Sequence, residues 1–190
     1  MNKNNNGSFT ANLYFNGLPV VLNQQRLKQK LREPRMTRQV QLSTEVALAD
    51  KRESCFITLA DHEDDKPLLL TFTPHGDSYA IHVSLRGIYD GARWVIEPKT
   101  YDLRVSTTER SEFFSISKVG VRRASLGDFE SGPTYIDLGS ESTKKPLYRN
   151  VVDRVSSFKA ADPNVTGHDA FNSDPAVFVI KVIDRLPALA

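Results

Sequence analysis

The run Trp94-Val95-Ile96-Glu97-Pro98, followed after a two-residue break by Tyr101-Asp102-Leu103-Arg104-Val105, constrains the fold more than any other stretch of this chain. Apolar runs this short, opened by an aromatic residue and parted by a proline, suit strands and are too brief for helices. The pattern recurs. Val40, Leu42, Val46 and Leu48 alternate with polar residues, and residues 55–59 and 68–72 are apolar runs. Tyr79, Ile81 and Val83 fall on one face of a strand, with Ala80, His82 and Ser84 on the other. Further runs cover 113–116, 135–138, 147–152 and 176–183, and turn-forming residues separate them at 61–65, 74–77, Asp90-Gly91, Gly132-Pro133 and Gly139.

This spacing predicts an all-β chain, one compact domain over residues 1–190, of sandwich or barrel type. Asn16-Gly17 between two apolar runs predicts a tight hairpin, because both residues tolerate positive φ. Pro19 then suggests an edge position for the second strand. The strongly apolar, β-branched run 177–183 is expected to be central and buried and to pair with the first strand, which would hide both edges. Residues 1–8 read as a flexible N-terminus and 156–175 as a long polar loop. Residues 23–39 read as a basic, partly helical excursion: Leu27 and Leu31 share a helical face, and Pro34 should stop the helix near Arg32.

Composition narrows the function classes only a little. A net charge of +2 does not by itself call for a nucleic acid or a membrane. Cys55 is the one cysteine, so no intramolecular disulfide is available, and its apolar setting reads as a small buried hydrophobe. Neither a signal-peptide pattern nor an apolar run of about 18 residues is present, so the expected location is the cytoplasm, with no membrane partner. The sequon at Asn164 matters only on a secretory route.

Several constellations invite a chemical reading. The acidic turn Asp61-His62-Glu63-Asp64-Asp65 lacks the glycine and the downstream glutamate of a calcium loop. His62, His75, His82 and His168 form no zinc-type spacing, and His75-Gly76-Asp77-Ser78 cannot supply a hydrolase triad from adjacent residues. No cofactor or metal is expected, and no catalytic residue is named. Arg26, Lys28, Lys30, Arg32, Arg35 and Arg38 are candidate anion-binding residues, with a nucleic acid the less favoured partner because no aromatic residue lies between Leu22 and Phe56. Arg122-Arg123-Ala124-Ser125-Leu126 fits the pattern of basophilic, cyclic-nucleotide-dependent kinases, which makes Ser125 a candidate phosphorylation site.

Residues 93–98 leading into Tyr101-Asp102-Leu103 resemble the join between repeats of β-trefoil proteins, where an aromatic-led closing strand precedes the opening strand of the next repeat. The similarity is to the small cytoplasmic protease inhibitors and lectins of fungi. It implies closing strands at 56–59, 94–96 and 178–180, and an opening strand at 13–17 continued by 18–22. The repeated Gln-x-Trp signature of ricin-type sugar binders is missing. A trefoil is thus expected ahead of a jelly-roll or another antiparallel sandwich. The resemblance implies a non-enzymatic binding protein acting through surface loops, on a protease or, alternatively, on a carbohydrate. A coat subunit of jelly-roll type is the third reading. Exposure of Tyr89, Trp94 or Tyr101 would favour the carbohydrate.

Overall fold

A computed structural model of the chain describes residues 7–129, 131–163 and 174–187. The strands are β1 (Phe9–Phe15), β2 (Leu18–Leu22), β3 (Ile57–Leu59), β4 (Leu69–His75), β5 (Ser78–Ser84), β6 (Arg93–Ile96), β7 (Leu103–Ser106), β8 (Phe113–Ser117), β9 (Thr134–Ser140), β10 (Lys145–Pro146), β11 (Tyr148–Val152), β12 (Val155–Lys159) and β13 (Val177–Arg185). Helices α1 (Asn23–Lys30), α2 (Arg38–Ala49) and α3 (Lys51–Ser54) lie between β2 and β3. The architecture is all-β and antiparallel, with these helices inserted between β2 and β3 and a 3-10 turn at Leu126–Phe129.

Pairing organises the strands into a ring and a cap. β1 pairs β4, β4 pairs β5, β5 pairs β8, β8 pairs β9, β9 pairs β13, and β13 returns to β1. Six strands therefore close on themselves and leave no free edge in the ring. Three further pairs, β2–β3, β6–β7 and β11–β12, stand off it. They meet one another through Thr58 opposite Ser157, Phe56 opposite Arg104, and Asp102 opposite Lys159. Two backbone bonds reinforce that meeting point: Val105 N–H donates to Cys55 O at 2.9 Å, and Ala160 N–H to Tyr101 O at 2.9 Å.

The ring is filled by large side chains. Phe9 stacks on Phe72 with centroids 4.8 Å apart, and Tyr79 meets both edge-on. Trp94 stands perpendicular to Phe114 at 5.8 Å. Phe15, Phe158 and Phe178 form a second cluster that joins β1, β12 and β13. Fully burying one such ring contributes about 1.5–3 kcal/mol of transfer free energy.

Several expectations hold. Asn16 and Gly17 have φ of 49° and 81°, as a two-residue hairpin requires. Tyr79, Ile81 and Val83 are buried on β5 while Ser84 is exposed, and β13 pairs β1 along six registered positions. β13 is central but buried on one face only: Phe178 and Ile180 are buried, Val177 and Ile183 exposed. α1 stops at Lys30, before Pro34.

Others are corrected. β2 is no edge strand: it lies between β1 and β3, and the Pro19 carbonyl accepts from Ala60 N–H at 2.9 Å. The proline is tolerated because the β3 register begins one residue later, at Val20 opposite Leu59. Residues 38–49 are helical and not extended. Thr37 Oγ1 caps α2 by accepting from Val40 N–H at 3.2 Å, and Gln41 donates to Glu45 one turn on at 3.1 Å. Thr44 is buried there, whereas Val46 is 71% exposed. The expected loop over 156–175 is also shortened, since residues up to Lys159 belong to β12. The turn between β11 and β12 is Asp153-Arg154, with φ of 50° and 66°, a left-handed pair without a glycine to announce it. The remainder of that loop, with Asn164 and His168, and residues 1–6 fall largely outside the described residues.

Candidate functional site

Two grooves open where the three strand pairs meet. The larger, about 530 Å³, runs between α3 and the β6–β7 pair and is lined by Arg52, Phe56, Glu97, Thr100, Asp102, Arg104 and Thr107, among others. Asp50 caps α3 by accepting from Arg52 N–H at 2.9 Å, and the Ser54 and Tyr89 hydroxyls bond at 2.7 Å beneath it. This bond fixes the helix to the loop after β5. Cys55 also lines the groove, and burial pushes its thiol pKa up, which disfavours the thiolate.

Arg104 organises the polar wall. Its Nη2 donates to Glu97 Oε2 at 3.0 Å and to Glu109 Oε2 at 2.9 Å, with the side chain only 17% exposed. Burial works against its charge, yet the Glu109 and Glu97 carboxylates outweigh burial and hold its pKa above the ordinary value. Between groove residues Thr100 and Asp102 sits Tyr101, 41% exposed and at φ 62°, a conformation uncommon for a bulky residue. Its backbone is pinned on both sides: its N–H donates to Glu97 O at 2.8 Å and its carbonyl accepts from Ala160.

The second groove, about 360 Å³, shares Phe56 and Asp102 with the first and lies under the β11–β12 pair. Asn23, Arg26 and Thr58 line it from buried positions, and Asp102 pairs with Lys159 at 3.6 Å on its border. Asn23 Oδ1 accepts from Arg26 Nε at 2.9 Å, and its Nδ2 donates to Glu53 O at 2.8 Å.

Three of the six candidate anion-binding residues, Arg26, Lys28 and Arg32, line one cavity of about 270 Å³, together with Asp65 and Lys66. Arg26 is buried there and faces Asp61 at 3.6 Å. Lys30 is half-buried, and Arg35 and Arg38 are exposed around the start of α2. Ser125 is half-buried between buried Ala124 and Leu126, and its N–H donates to Asp128 Oδ2 at 2.8 Å. Arg123 is held by Asp77 and Glu141. A kinase reads an extended peptide, so the folded protein is expected to resist labelling at Ser125 and the urea-unfolded chain to accept it. Equal incorporation in both, measured by phosphopeptide mass spectrometry, would contradict this.

The histidines are dispersed. His62 bonds Glu33 at 3.2 Å, which raises its pKa; His75 stacks on Phe113 at 4.0 Å; burial and Arg93 lower the pKa of His82. Among the described residues no group of three or more His, Cys, Asp or Glu side chains is placed to hold a metal ion. Nor is any helix among them long and apolar enough to cross a membrane.

Asp137 on β9 has its pKa raised by burial. An acid whose folded-state pKa exceeds its unfolded value loses stability as pH rises through the folded value. Asp137→Asn is therefore expected to raise Tm at pH 7 but not at pH 3; an equal gain at both would contradict the assignment.

Sequence reasoning singled out Tyr89, Trp94 and Tyr101 as possible platforms. The first two are buried and the third is exposed. It gave no site role to Phe56, Arg104 or Lys159, which meet only because strands distant in sequence converge. Comparison of the chain with models of protein families, with curated proteins and with solved structures found no match.

Proposed function

We propose that this chain is a β-trefoil binding module without catalytic activity, which takes a neutral, hydroxyl-rich ligand (a glycan) in the groove beside Tyr101. The trefoil reading is supported by the pairing pattern: a six-strand ring and three outlying strand pairs that meet at one end. On this reading the units open at β1, β5 and β9, and the helices lengthen the first of them. The segment 94–105 then lies inside the second unit, not at a junction between two.

One observation carries the glycan reading: an exposed aromatic on a backbone bonded on both sides, beside charges that already have partners. Arg104 is matched by Glu97 and Glu109, and Lys159 by Asp102. Pairs of this kind offer donors and acceptors in fixed directions without demanding a counter-charge from the ligand, which suits sugar hydroxyls and an aromatic stacking face. A glycan array followed by calorimetry tests it. Tyr101→Ala is expected to weaken the best binder by at least tenfold while leaving the circular dichroism spectrum unchanged; an array with no binder, or an indifferent variant, would overturn the reading.

A second reading, contact with a protein such as a protease, is favoured by Val119. It is 97% exposed at the tip of a tight turn closed by reciprocal 2.9 Å bonds between Lys118 and Val121. Such a preformed apolar tip loses little entropy on docking. Inhibition assays across protease classes, with Val119→Asp as the control, address it.

A further inference from the structure

Resting on the glycan reading above, we infer that the ligand site is bipartite: it runs past Phe56 and Asp102 into the groove under the β11–β12 pair, so that the recognised ligand is an oligosaccharide of at least two units. Three observations lead there. Phe56 and Asp102 line both grooves, which makes them a shared wall between adjoining compartments and not the limit of one. The two volumes, about 530 and 360 Å³, each fall in the range of ligand pockets, roughly 300–1,000 Å³. The third observation is the polar lining that the second groove already carries: Asn23, Arg26, Asp102, Asn150, Ser157 and Lys159 border it, and a ligand pocket needs a few such placed donors and acceptors.

The surroundings are built for such a guest. Asn23 and Arg26 are buried and hold each other at 2.9 Å, so their orientation precedes any ligand. The wall that β11 and β12 supply ends at the left-handed pair Asp153-Arg154, of which Asp153 borders the groove. Asp102 and Lys159, 3.6 Å apart, carry an acceptor and a donor to the boundary where two sugar units would be joined. Occupying both compartments with one linked ligand makes the second contact intramolecular, so affinity should climb steeply from one unit to two and little thereafter.

The test is calorimetry on the full chain with glucose, galactose, mannose and N-acetylglucosamine and with their soluble di- and trisaccharides. At least one disaccharide is expected to bind tenfold or more tighter than its monosaccharide. Val152→Trp, placed at an exposed position bordering the second groove, should remove that gain and leave the monosaccharide affinity unchanged. Asn150→Ala, which removes an amide from the second groove's lining, should reduce the disaccharide gain several-fold and serves if the tryptophan variant does not fold. If sugars bind with no dependence on length, or if neither variant alters the gain, the second compartment is overturned while the first stands. If none of the sugars binds, both fall.

Discussion

Trp94→Ala is expected to lower the unfolding free energy by about 4 kcal/mol, near the middle of the range for removing a large buried aromatic. The indole is fully buried, meets Phe114 edge-on, and sits on β6 opposite Val105 of β7. Its removal leaves a cavity where the ring and the cap join, and neighbours held in two sheets cannot easily collapse into it. At about 2–4 °C per kcal/mol for a chain of this size, Tm should fall by roughly 8–16 °C. Trp94→Phe separates packing from hydrogen bonding. Because Trp94 Nε1 is buried without a partner, losing it forfeits no bond, and the phenylalanine variant should retain most of the stability. Differential scanning calorimetry decides the matter: near-equal losses for the two variants would mean that the smaller ring does not fill the site and that the full indole shape is what counts.

Phe158→Ala should cost a similar amount, about 4 kcal/mol, and should damage the grooves as well. Phe158 is fully buried, 6.0 Å from Phe15 and 5.0 Å from Phe178 by ring centroid. It is the residue by which β12 grips the barrel strands β1 and β13. Its neighbours Ser157 and Lys159 point into the second groove's lining, so a loosened β12 displaces them together. Urea titration should show a lower midpoint with an unchanged slope. At a temperature where the variant remains folded, glycan affinity should also be reduced, with the larger loss for disaccharides. Full affinity in a destabilised variant would show that the groove wall does not depend on this anchor.

Much of the barrel was legible in the sequence because its strands obey a local rule. Alternation at 79, 81 and 83, the Asn16-Gly17 turn and the β-branched run of β13 each carry their geometry within a few residues. The helix α2 was hidden for the opposite reason. Val40, Leu42, Val46 and Leu48 show alternation, but Thr44 is the buried residue while Leu42 and Val46 face outward, so apolar spacing pointed to a face that is not packed. The Asp153-Arg154 turn was missed because left-handed backbone there is imposed by the flanking β11–β12 ladder and not by residue type. The grooves were the least legible. Phe56, Asp102, Arg104 and Lys159 come from three strand pairs, and no spacing in one dimension encodes their meeting. Of the residues at or beside the grooves, Arg26, Tyr89 and Tyr101 stood out beforehand, and their exposure had to be learned from the fold.

The closure of the ring also governs the order in which the protein can be made. β1 and β13 lie at opposite ends of the described chain, yet they register from Phe9 with Arg185 to Tyr14 with Val179. Until β13 has left the ribosome, β1 and β9 each present an unpaired backbone edge to whatever is nearby. Contacts of such long sequence separation favour slow folding, in the millisecond-to-second regime typical of sheet proteins. A nascent chain stalled before Val177 would therefore expose two sticky edges at once, and it is this species, not the finished barrel, that a chaperone would be needed to shield.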